Sequence, residues 1–99
     1  MLNERRALRL SYDAQSDTST VVADDALPQR GSTAATLLLD KKGFLVGIDV
    51  TAGDRVVVML GGHEEVASQT TAHVDVHGTS LSVAKAKSRI RGDEKNPYV

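Results

Sequence analysis

The segment Asp40–Gly43, with the sequence Asp-Lys-Lys-Gly, limits the fold of this chain more than any other feature. It lies between two apolar runs, Ala35–Leu39 and Phe44–Val50. An Asp and a Gly that enclose two polar residues are typical of a tight turn, and a turn between apolar runs predicts a β-hairpin. The consecutive leucines 37–39 favour burial on both faces of the first arm, and Gly47 predicts a bulge or a close backbone approach in the second.

The rest of the chain repeats this pattern of β-branched or alternating runs between turns, which predicts further strands. We expect them at Leu8–Asp13, Thr18–Ala23, Arg55–Leu60, Ala72–His77 and from Leu81 onwards, with a loop over Asp24–Thr33. Two segments stay open. Residues 63–71 are either an irregular loop or one helical turn through Glu64–Ser68, and the segment from Ala84 is either a continued strand or a short helix.

Seven strands in hairpin order predict an all-β fold, with one short helix possible. We expect an antiparallel sheet built of hairpins, forming a small sandwich or a barrel-like sheet. With 99 residues there is room for one domain, over residues 1–91. Residues 92–99 are polar and contain Pro97, so they are expected to form a free C-terminal tail.

The apolar side chains are aliphatic, with 12 Val and 10 Leu against Phe44, Tyr12 and Tyr98. Large rings usually provide much of the burial in a small domain, so their scarcity indicates packing across a subunit contact. The leading hypothesis is a non-enzymatic module that acts by self-association or by binding another protein. Two predicted strands are apolar on both faces, at Leu37–Leu39 and at Val56–Leu60. They place the expected contact at Leu38 and Val57.

Charge and cysteine content exclude several kinds of function. Twelve basic and 13 acidic side chains give no positive field to attract nucleic acid or membranes, so both are unlikely partners. The absence of cysteine excludes disulfides, thiolate metal sites and cysteine catalysis. Motifs of serine hydrolases, zinc proteases and phosphate-binding loops are absent as well. Because no apolar targeting segment is present, a cytoplasmic protein is the default expectation. No cofactor is expected under the leading hypothesis.

A metal-dependent site is the second hypothesis. His73, Asp75 and His77 alternate along a predicted strand, so their side chains share one face. Two imidazoles and a carboxylate can ligate a divalent metal, but residues four apart on a strand lie about 13 Å apart. A neighbouring segment, for which His63 is the candidate, would have to complete the site. The alternative interpretation is a solvated strand face.

Weak nucleic-acid binding is the third hypothesis. In an extended chain Lys85, Lys87, Arg89 and Arg91 would form a row of cations about 6.6 Å apart, near the phosphate spacing of one nucleic-acid strand. No aromatic residue interleaves with them for base stacking, and acidic residues follow directly. A charged row of this kind also protects an edge strand from aggregation.

Residues 8–50 carry a pattern of turn residues. A Tyr-Asp pair at 12–13 is followed by Asp17, then by the hairpin turn 40–43 and by Gly47-Ile48-Asp49. The pattern resembles a small bacterial family of β domains of unknown function. Ser19 and Thr20 replace the apolar pair that the family usually has after its second Asp, and Asp49 stands where it has Glu. The resemblance implies a β fold and a bacterial source, and it implies no activity.

Overall fold

A computed structural model describes residues 3–60, 66–87 and 92–95 of the chain. Eight strands account for most of these residues, and no helix occurs among them. The strands are β1 (Asn3–Asp13), β2 (Thr18–Ala23), β3 (Gly31–Leu39), β4 (Leu45–Val50), β5 (Val56–Met59), β6 (Ser68–His77), β7 (Ser80–Ala84) and β8 (Gly92–Lys95). The all-β, barrel-like prediction is confirmed.

Seven strands close into a barrel in the order β2-β7-β6-β3-β4-β5-β1, and β1 pairs back to β2. All neighbours are antiparallel except β1 and β5, which pair in parallel from Asn3↔Val56 to Arg6↔Met59. The expectation of a purely antiparallel sheet is therefore wrong at one position. The reason is geometric: strand directions cannot alternate all the way round a ring with an odd number of strands.

Strand β1 is long enough to take different partners along its length. Its first half closes the barrel against β5, and its second half pairs with β2 on one side and β8 on the other. Residues 92–95 thus form a strand along Leu10 and Tyr12, and the prediction of a free tail from Gly92 does not hold for them. Residues 96–99 lie outside the described residues.

The barrel interior is filled by aliphatic side chains, as the composition requires. Alternate residues of every barrel strand point inward, and Ile48, Val58 and Leu81 are fully buried there. Leu27 from the β2–β3 loop and Ala86 after β7 join the same cluster. The Leu27 amide donates to the carbonyl of Gly78 (3.0 Å) and thereby fixes the loop beside the β6–β7 turn. These two residues add apolar contacts outside the seven strands.

Strand β4 is buried on both faces, whereas in β3, for which this was predicted, Leu37 is buried and Leu38 and Leu39 are half-buried. The register of β3 against β4 shifts between Leu38 and Leu39, so Val46 is an extra residue that forms a bulge before Gly47. A Cβ on Gly47 would lie 2.9 Å from Leu38 Cδ1 and 3.1 Å from Met59 Sδ. Both sequence expectations for Gly47, a bulge and a close approach, are confirmed.

The turn after β3 is closed by the Asp40 side chain. Its Oδ1 accepts hydrogen bonds from the amides of Lys42 and Phe44, each at 2.9 Å, and Asp40 itself is buried. An aspartate that binds the backbone two and four residues ahead fixes the chain reversal locally. The predicted hairpin is therefore confirmed in its residues and in its chemistry.

Two segments left open by the sequence are resolved in part. Residues 68–71 belong to β6, so a helical turn does not extend through Ser68, while residues 63–65 lie outside the described residues. After Ala84 the chain does not continue as a strand or start a helix over 85–87. Lys85 has a positive φ of 61°, and its amide donates to the carbonyl of Asp17 (2.6 Å). This turn directs Ala86 into the core.

Candidate functional site

The first half of β6 forms a strand edge, which we call the β6 edge and define as Ser68–Ala72. On one side these residues pair with β3, from Ala35↔Ala72 to Leu39↔Ser68. On the other side β7 pairs with Asp75, Val76 and His77 alone. Within residues 3–60, 66–87 and 92–95, no strand pairs with this side of the β6 edge. Every second residue there presents its N–H and C=O to the open side.

The β6 edge is exposed on both faces. Ser68 and Thr70 lie beside Leu39 and Leu37 of β3 and alternate with the outward residues Gln69 and Thr71, yet all four side chains are exposed. The cause lies in β7, which stays paired with β2 up to its last residue, where Ala84 pairs with Thr18. It therefore separates from β6 before reaching the β6 edge.

The composition of the β6 edge favours pairing with another strand. Its sequence Ser-Gln-Thr-Thr-Ala contains no charge and no proline, and its two threonines favour extended structure. Soluble proteins usually protect such edges with lysine, proline or a bulge. An uncharged, exposed edge is a template for adding a strand from a second chain.

The two residues predicted for self-association have different environments. Leu38 is half-buried on the outer face of β3, directly beside Gln69 of the β6 edge. Val57 is only 7% exposed. It lies between Glu4 of β1 and Asp49 of β4 in the register of the barrel, so a partner could contact little of it.

An ion pair lies beside Val57 on the outer face. Asp49 accepts three hydrogen bonds from Arg55 through Nε and Nη2, the shortest at 2.6 Å. The hydrogen bonds to Asp49 and its negative charge raise the pKa of Arg55. Because the pair fixes the β4–β5 connection, we interpret it as structural.

The predicted metal row has the expected alternation. His73, Asp75 and His77 are exposed, and Val74 and Val76 between them are buried. Their cross-strand neighbours are Ala34, Ser32, Ser80 and Ser82. The flanking strands thus supply no further imidazole or carboxylate, and no group of three His, Cys, Asp or Glu capable of holding a metal occurs in the described part of the chain. His63 lies outside it, and the metal hypothesis stays a prediction.

The extended row of basic residues that the sequence predicts is interrupted at its first member, Lys85. Lys85 and Lys87 are exposed, but the positive φ of Lys85 ends the extended chain at the first member of the row. Lys87 instead forms a bridge with Phe44 of the β3–β4 hairpin. Arg89 and Arg91 lie outside the described residues, so nucleic-acid binding stays a prediction.

Two clefts flank the β2–β3 loop at the barrel end that contains the β6–β7 turn. One has a volume of about 440 Å³ and is lined by Ala26, Leu27, Arg30, Gly31, Val76, His77 and Gly78. The other, of about 380 Å³, is lined by Pro28, Gln29, Arg30, Thr33, Ala52, Gly53 and Asp54. Arg30 lines both clefts. It is exposed and makes no hydrogen bond or ion pair with any described residue.

Sequence reasoning missed both the β6 edge and Arg30. The sequence leaves residues 63–71 open between an irregular loop and one helical turn, although the β-branched Thr70 and Thr71 are a signal for a strand. The sequence places Arg30 in the predicted loop Asp24–Thr33 and indicates no role for it. Nothing in its local sequence indicates that His77, 47 positions later, lines the same cleft.

Among the described residues, no helix is long and apolar enough to cross a membrane. Comparison with protein-family models, with curated proteins and with solved structures found no match to this chain. The resemblance of residues 8–50 to a bacterial β-domain family therefore stays a prediction.

Proposed function

We propose that this chain is a non-enzymatic interaction module that self-associates by pairing the β6 edges of two copies. The observation that carries the proposal is the uncharged stretch Ser68–Ala72, exposed from Ser68 to Thr71, which is paired with β3 on one side and with no described strand on the other. The scarcity of aromatic residues supports the same function, because a thin aliphatic core gains from packing across a subunit contact.

A second copy fits this edge better than a charged peptide does. Two identical strands related by a two-fold axis pair antiparallel, and an axis at Thr70 places Ser68 opposite Ala72 and Gln69 opposite Thr71. No like charges face each other in this register, and the central pair is Thr70 with its own copy. Threonine pairs across antiparallel strands are favourable.

The resulting sheet would continue from one barrel into the other. Leu38 lies one strand away from the contact, beside Gln69, so it would flank the new strand pair on the outer face. A contact made mainly of one strand pair belongs to the small, transient class of interfaces. We therefore expect a dimer with a Kd of the order of 10 µM or weaker.

Sedimentation velocity over a concentration series tests the proposal. The chain is expected to pass from monomer to dimer as concentration rises to about 1 mM, well above the expected Kd. Thr70→Lys and Thr70→Glu should each be monomeric, because like charges then meet at the two-fold axis. Mixing the two variants should restore a dimer that contains one copy of each.

Ser32→Lys is the matched control, because Ser32 is an exposed strand residue of β3 away from the β6 edge. It should leave the dimer intact. A chain that stays monomeric at every concentration would contradict self-association. A dimer unaffected by the Thr70 variants but lost in Leu38→Lys would move the contact to the outer face of β3 and contradict pairing at the β6 edge.

A further inference from the structure

The larger cleft at the barrel end combines an apolar floor with hydrogen-bond donors on one side. Leu27 and Val76 are buried residues at its base, and Arg30 and His77 are exposed at its rim. Its volume, about 440 Å³, lies within the range of small-molecule sites. This arrangement suits a ligand with an apolar body and one polar end.

The neighbouring ends of β3 and β6 bring the donors to one cleft. Gly31 pairs with Val76, and Arg30 and His77, which adjoin this pair in the sequence, both line the cleft. On the other side His77 pairs with Ser80 of β7. Opposite residues on neighbouring strands have Cβ atoms about 4.5–5.5 Å apart and share a face. The imidazole of His77 and the hydroxyl of Ser80 are thus neighbours on one face, and the guanidinium of Arg30 lines the same cleft as His77.

The space beside Gly31 and Gly78, which both line the cleft, is not filled by side chains of the described residues. Gly31 and Gly78 both have positive φ values, 71° and 61°, and a Cβ on either would meet no atom within 4 Å. Neither the Arg30 nor the His77 side chain forms a hydrogen bond or an ion pair with a described residue. Their donors are therefore available to a ligand.

The carboxylate of Asp75 favours an anion with one negative charge over an anion with two. Asp75 is exposed on the same face of β6, two residues from His77 and hence about 6.6 Å along the strand. Its carboxylate disfavours a second negative charge in the cleft. A planar carboxylate carries one negative charge and accepts two parallel hydrogen bonds from a guanidinium. A phosphate dianion would meet more repulsion from Asp75.

We propose that this cleft binds a small monocarboxylate with an apolar chain. Arg30 pairs with the carboxylate, His77 donates to it from the rim, and the apolar chain lies over Leu27 and Val76. This site is separate from the β6 edge and does not depend on self-association.

Two-dimensional amide NMR of the full chain, titrated with hexanoate, tests the proposal. The amide signals of residues 26–27, 29–31 and 76–78 are expected to shift together and to saturate, with a Kd of the order of 1–10 mM for so small a ligand. Hexanamide has the same apolar chain without the charge and should bind more weakly. Inorganic phosphate should not compete with hexanoate.

Substitutions of Arg30 and His77 test whether these two side chains bind the carboxylate of hexanoate. Arg30→Gln should weaken hexanoate binding roughly tenfold, since a charge-assisted pair is lost, and His77→Gln should weaken it less. Both residues are exposed, so both variants should retain the wild-type spectrum elsewhere. Lys42→Gln, an exposed cation in the β3–β4 turn, is the control and should bind hexanoate like wild type.

Several results would overturn the carboxylate site. Shifts that do not saturate would contradict specific binding, and equal binding of hexanamide would remove the role of the charge. Competition by phosphate would replace the monocarboxylate with a general anion site. An Arg30→Gln variant that binds hexanoate like wild type would exclude the proposed pairing.

Discussion

The hydroxyl of Ser19 donates a hydrogen bond to the carbonyl of Ala86 at 2.7 Å, and the two residues are 67 positions apart. Both are buried. Ser19 lies at the start of β2, and Ala86 follows β7 where the chain enters the core. This bond therefore fixes the segment after β7 at one end of the barrel.

Ser19→Ala is expected to destabilise the fold by about 1–3 kcal/mol, because the buried carbonyl of Ala86 loses its partner. Urea unfolding followed by circular dichroism measures the change in the free energy of unfolding. Ser82→Ala, a half-buried serine on the outer face of β7, serves as the control and should change stability by less than about 0.5 kcal/mol. Equal effects of the two substitutions would contradict a special role for Ser19.

Gly47→Ala is expected to destabilise the barrel by about 1 kcal/mol, at the low end of overpacking costs. The added Cβ would lie 2.9 Å from the flexible end of Leu38, which can move. Combining Gly47→Ala with Leu38→Ala should cost less than the sum of the two single substitutions, since the crowded methyl group is gone. Strict additivity in this double-mutant cycle would show that the two side chains do not interact.

Asp40→Ala is expected to cost about 1–3 kcal/mol, because the amides of Lys42 and Phe44 lose their acceptor in a half-buried turn. Asp40→Asn keeps a carbonyl oxygen in that position and should cost less. Thermal unfolding of the three proteins measures the order of stability. The interpretation of the turn is wrong if asparagine destabilises as much as alanine.

Leu27→Ala is expected to destabilise the protein by about 2–5 kcal/mol, the usual range for truncating a buried leucine. Leu27 is a loop residue that joins the core cluster, so its cost should match that of a strand leucine such as Leu81→Ala. Chemical unfolding compares the two variants. A cost under about 0.5 kcal/mol would show that the loop does not contribute to the core.

The sequence by itself determined the individual hairpins. The segment Asp40–Gly43 specifies its turn through its own side chain and backbone, and Thr18–Ala23 has the predicted boundaries. Such signals are local, since a turn depends on the φ values and hydrogen bonds of a few neighbouring residues. Period-two alternation likewise identified the buried residues Val74 and Val76, because successive side chains on a strand point to opposite faces.

Only the tertiary structure decided how these hairpins close and which surfaces they leave open. Barrel closure pairs Asn3 with Val56 in parallel and places β8 on β1, both contacts between residues distant in sequence. The β6 edge exists because β7 follows β2 away from it, and Arg30 and His77 line one cleft because β3 and β6 are neighbours in the sheet. Each of these features depends on which strands become neighbours, and that is set by the closure of the whole sheet rather than by any local run of residues.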